Sequence, residues 1–98
     1  MLDFYIIKDK QQSPSSPKNL KFAGGLNDIM FNNLQVRDLI NKKYDYYSDF
    51  RWSYKVIEEI YNKLLSFKDI ETNSELKILL SLLNKAKETN SGLIAFCD

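Results

Sequence analysis

Apolar residues at the start of the chain alternate with a period of two. Leu2, Phe4 and Ile6 share one face of an extended segment, and Asp3, Tyr5 and Ile7 share the other, which predicts a strand over Leu2–Ile7. Tyr5 and Ile7 are not strongly polar, so the second face is expected to be partly covered. The alternation stops at Lys8. Pro14 and Pro17, set among Ser13, Ser15 and Ser16, cannot extend a central strand and predict a stiff surface loop to Asn19. Leu20–Ala23 reads as a second short strand that Gly24 and Gly25 break.

The period then changes to that of a helix. Asn27 is a candidate N-cap, with Asp28 well placed in the first turn beside the helix dipole. A helix is predicted from there to about Ile40, with Ile29, Met30, Leu34, Leu39 and Ile40 as apolar candidates. Residues 41–52 form a break. Ser53 is a candidate N-cap for a second helix, in which Val56, Ile57, Ile60, Tyr61, Leu64 and Leu65 recur at three-and-four spacing. Thr72 and Glu75 fit a capping box for a third helix that runs to about Thr89. Leu76, Leu79, Leu80, Leu83 and Ala86 form its stripe, and Ile78 and Leu82 widen it. Asn90-Ser91-Gly92 supplies a residue able to take positive φ, and Leu93–Cys97 reads as a closing strand.

A terminal strand needs a pairing partner, and Leu2–Ile7 is the obvious one. The expected fold is therefore α+β: one domain over residues 1–98, with three helices on a two- or three-stranded sheet that pairs the terminal strands.

Composition narrows the function classes. Fourteen basic and thirteen acidic residues are interleaved along the chain, which argues against a dedicated nucleic-acid binder. There is no histidine and only one cysteine, Cys97. A structural zinc site is not expected, since it needs about four Cys or His ligands, and no other cofactor is expected either. A histidine-assisted thiol nucleophile is likewise excluded. The opening residues lack the basic stretch and small-residue cleavage site of a signal peptide, and no apolar run approaches the ~20 residues of a membrane span. A cytoplasmic protein with no membrane partner is expected.

The informative segment is Tyr44-Asp45-Tyr46-Tyr47-Ser48-Asp49-Phe50-Arg51-Trp52-Ser53-Tyr54. It holds six of the thirteen aromatic residues, the only tryptophan and one of two arginines. Tyr, Trp and Arg dominate binding hot spots, because they bring rigid area with polar tips. Tyr44, Asp45, Tyr46, Tyr47, Asp49, Arg51, Trp52 and Tyr54 are the candidate partner-binding residues, with Arg51 and Asp49 supplying orientation. The structural alternative is that Phe50 and Trp52 plug the junction between two helices, that Asp49 pairs with Arg51, and that only Tyr44, Tyr46 and Tyr47 face outward. A catalytic alternative uses Asp45 and Asp49 as a carboxylate pair for metal-assisted hydrolysis, although no third ligand stands out. Stacking on single-stranded bases is a further option, but Lys42, Lys43 and Arg51 are few cations for a phosphate track.

The opening Leu2–Ile7, the step Phe22–Leu26 and the string Asp45–Ser53 resemble a family of small bacterial proteins, over about the first two-thirds of the chain. That family is associated with immunity proteins of contact-dependent or secreted toxin systems. The resemblance implies a non-enzymatic inhibitor that binds a cognate toxin domain. A small adaptor or homo-oligomeric module, self-pairing through a sheet edge or the tyrosine surface, is the alternative from the residues alone.

Overall fold

A computed structural model describes residues 1–97. The first strand, β1 (Leu2–Ile7), runs down the middle of the sheet. It pairs antiparallel with β2 (Lys21–Leu26) on one side and with β4 (Gly92–Cys97) on the other. A three-residue strand, β3 (Phe50–Trp52), pairs antiparallel with the outer side of β4, giving the order β2-β1-β4-β3. The class is α+β as the sequence predicts, and the terminal strands do pair. The sheet has four strands rather than two or three, because the aromatic segment expected as a break supplies one of them.

Three helices lie on one face of this sheet: α1 (Asp28–Val36), α2 (Tyr54–Leu65) and α3 (Ser74–Lys87). Asn27 and Ser53 are the N-caps of α1 and α2, accepting from the N–H of Met30 and Val56. At α3 the cap is Asn73, one residue beyond the expected Thr72, accepting from Leu76 N–H. The alternation of β1 sets the layers. Leu2 and Phe4, with Leu93, Ala95 and Trp52, join Ile57, Leu64, Leu79 and Leu83 in a core from which water is excluded.

The first helix stops at Val36, short of Ile40. Asp38 takes φ 62°, its N–H donates to Gln35 O at 2.9 Å, and Leu39 N–H reaches back to Leu34 O at 3.0 Å. This is a Schellman closure with Asp in the glycine position. It turns Leu39 and Ile40 into the core, where both are buried, so their apolar character reports the turn rather than a longer helix. Asn90 ends α3 the same way, at φ 51°, with Ser91 N–H on Ala86 O at 2.9 Å.

β2 runs through the glycines that were expected to break it. The register shifts between Phe4 and Tyr5, leaving a bulge beside Ala23, and Gly24 takes φ 151°. A side chain at Gly24 would be strained by that backbone and would meet Leu82 Cδ2 at 2.9 Å. At this bulge Lys85 Nζ donates to the carbonyl of Ala23 at 2.7 Å.

The opposite sheet face carries Tyr5, Ile7, Ile94, Phe96 and Arg51. Ile7 and Ile94 are buried, yet they lie outside the main core. The 8–20 loop folds over this end of the sheet and is held by Arg51, which donates to Lys8 O at 2.7 Å and to Ser13 Oγ at 3.0 Å. Lys8 Nζ adds a bond to Thr89 O at 2.8 Å. No helix of the described residues is long and apolar enough to cross a membrane.

Candidate functional site

The aromatic segment begins in a loop anchored on α1. Gln35 Nε2 donates to Tyr44 O at 2.9 Å, and Tyr44 N–H closes a turn onto Asn41 O at 3.1 Å. The next turn is built by Asp45. Its carboxylate accepts from Tyr47 N–H at 3.1 Å and from Ser48 Oγ at 3.2 Å, while Ser48 N–H bonds Asp45 O at 3.1 Å. Such an Asx turn fixes the backbone of Tyr46 and Tyr47 independently of their side chains.

Asp49 then accepts Cys97 N–H at 2.9 Å and so docks the segment on β4, where β3 starts. Within β3, alternation sends Phe50 and Trp52 to the helix side and Arg51 to the other. Phe4, Phe50, Trp52 and Tyr44 form one continuous ring cluster, with centroids 5.2 Å apart for Phe4–Trp52, 5.6 Å for Phe50–Trp52 and 4.8 Å for Tyr44–Phe50.

The eight candidate residues therefore separate. Trp52 is 0% exposed and offers a partner no surface; its Nε1 is buried without a hydrogen-bond partner. Arg51 is turned onto the 8–13 backbone, not onto Asp49, and three of its contacts are internal. Tyr54 opens α2, with its N–H on Asp9 Oδ1 at 3.0 Å and Lys87 Nζ 5.7 Å from its ring centroid. Tyr44 is half-buried against the core. Asp45 holds the backbone of its own turn and Asp49 that of Cys97 on β4, and the described residues contain no group of three or more His, Cys, Asp or Glu side chains able to hold a metal.

Tyr44, Asp45, Tyr46 and Tyr47 do come together. With Ile29, Phe31 and Asn32 of α1 they line an open groove of about 620 Å³. Tyr46 packs edge-on to Phe31 at 5.6 Å and to Tyr47 at 5.0 Å. Burial raises the Tyr46 phenol above its ordinary 10.0, the negative charge of Asp28 adds to the rise, and a hydrogen bond with the Leu2 backbone opposes it. Tyr47 is 72% exposed, and so is Val36; Ile29 is 67% exposed. Ile29 and Val36 stand seven apart, hence on one helix face.

Ile29 was expected in the core. The buried stripe of α1 is instead Phe31 and Leu34, and Ile29 points the other way. Phe31 and Leu34, three apart, share the buried face, whereas Ile29, Asn32 and Val36 share the exposed one. A second depression lies beyond Tyr44, between the 38–43 turn and α2, where Lys63 bonds Asp38 Oδ2 at 3.2 Å.

No protein-family model, curated protein or solved structure matches the chain.

Proposed function

We propose that this chain is a protein-binding module that neutralises a bacterial toxin domain by direct, non-catalytic contact in the cytoplasm. The partner class follows from the resemblance of Asp45–Ser53 to immunity proteins. The surface follows from one observation: Tyr47 and Ile29 line one groove and are both largely exposed, with Val36 exposed further along the same face of α1, while Phe31 beside them fills the core. Exposed large apolar groups gathered on one side of a monomer mark contact surfaces. A rigid Tyr on an Asx turn loses little entropy when covered, which suits it to anchor a complex.

Two carboxylates that cap separate stretches of backbone give the hydrolase reading no support. The sheet-edge reading is also the weaker one, because β2 is interrupted by a bulge and a lysine occupies its Ala23 carbonyl.

The test is protection. Reading frames beside the gene are searched for a toxin domain, which is expressed with and without the chain while growth is scored. Tyr47→Ala with Ile29→Ala is expected to abolish protection, each substitution weakening binding by about 2 kcal/mol, with circular dichroism melts unchanged. Full protection by the folded double variant overturns the proposed surface. An intact chain that neither binds nor protects overturns the function.

A further inference from the structure

We infer that the groove between α1 and the Asp45–Ser48 turn takes a basic, apolar segment of its partner: an arginine beside an aliphatic side chain. The inference rests on the binding-module reading and adds the chemistry of what binds.

Charge carries the first part. Asp28 and Asp45 line the groove with one cation, Lys42. Neither carboxylate is ion-paired; among the described residues the ion pairs are Arg37–Asp69 and Lys63–Asp38. Both acids accept only neutral donors, Ile29 N–H at 2.9 Å for Asp28 and the Tyr47 and Ser48 groups for Asp45. No ion pair neutralises either acid at the lip, and the charge of Asp28 adds to the burial that raises the Tyr46 phenol. An incoming carboxylate would be repelled there, and a cation drawn in.

Aromatic geometry carries the second part. Tyr47 is in edge contact with Tyr46 and 72% exposed, so most of its ring is open to solvent on the groove that the two acids line. A planar guanidinium stacks on such a ring and bonds a carboxylate through its fork at once; an ammonium does only part of this. Ile29, exposed on the same groove, calls for an aliphatic neighbour to the arginine.

The experiment titrates the ¹⁵N-labelled full chain with blocked tripeptides in the millimolar range, Ac-Leu-Arg-Leu-NH₂ against Ac-Leu-Glu-Leu-NH₂, and follows amide shifts. The arginine peptide is expected to move Asp28, Ile29, Asp45, Tyr46 and Tyr47 amides, and the glutamate peptide to leave them in place. Asp45→Asn keeps the turn's acceptor, and Asp28→Asn keeps the helix start. Each is expected to weaken the arginine peptide about two- to fivefold, and added salt to weaken it further. Equal shifts from both peptides, shifts centred elsewhere, or no shift at all overturn the inference. Protection from the toxin in the face of that result would leave the function standing, and selective arginine binding without protection would remove only the function.

Discussion

Tyr46 and Trp52 lie six residues apart and show how differently one aromatic segment is used. Burial and the nearby Asp28 charge keep the Tyr46 phenol protonated beyond its ordinary 10.0. A group raised in the folded state contributes stability that is whole below that value and declines as pH climbs through the higher folded one. Tyrosinate absorbance of the native chain minus that of Tyr46→Phe should therefore titrate late, and Asp28→Asn should bring it earlier. Trp52 is a core residue. Trp52→Ala is expected to cost about 3–5 kcal/mol by leaving a cavity among Phe4, Phe50 and Tyr44. Trp52→Phe should cost roughly half of that or less, since it also deletes a buried donor without a partner. Urea melts of both variants check the ordering. Residue type alone does not choose between the two readings of the segment; the pairing of β3 turns Trp52 inward, and the Asp45 turn leaves Tyr47 outward.

At the level of elements, β3 and the loop it faces form a clasp. Arg51 ties 8–13 over Ile7 and Ile94, so the otherwise helix-free side of the sheet keeps two aliphatic residues dry. Arg51→Ala is expected to lower stability by about 1–2 kcal/mol and to speed amide exchange from Lys8 to Ser13 more than elsewhere. Gly92 is the opposite case, a position with no tolerance. A Cβ there would run into the carbonyl oxygen of Trp52 on the adjacent strand, so Gly92→Ala should cost about 3 kcal/mol, seen as a fall in the urea midpoint. The helices α2 and α3 were legible from their stripes, and α3 stops at Lys87, close to the expected Thr89, because long apolar periodicity survives any context. β3 was not legible. Three residues cannot display a period, and its pairing depends on β4, more than forty positions away. The same limit hid Ile29: on a nine-residue helix a face is decided by what packs on it.

Across the whole molecule, Arg37 and Asp69 join the end of α1 to the turn before α3 through two bonds, at 3.2 and 2.8 Å. The guanidinium holds the Asp69 carboxyl below its ordinary 3.8. A lowered carboxylate contributes in full above that ordinary value and loses its contribution as pH falls through the lower folded one. The stability gap between the native chain and Asp69→Asn should hold at about pH 6 and close in strong acid, as urea melts would register. The bond between Lys85 and Ala23 acts at the same scale, by exclusion. It occupies one carbonyl of the edge strand β2, a group that a foreign strand would compete for, and the bulge spoils the flanking register. Lys85→Met would free that carbonyl. Concentrated solutions of that variant should then seed fibrils that bind thioflavin, while the native chain stays clear.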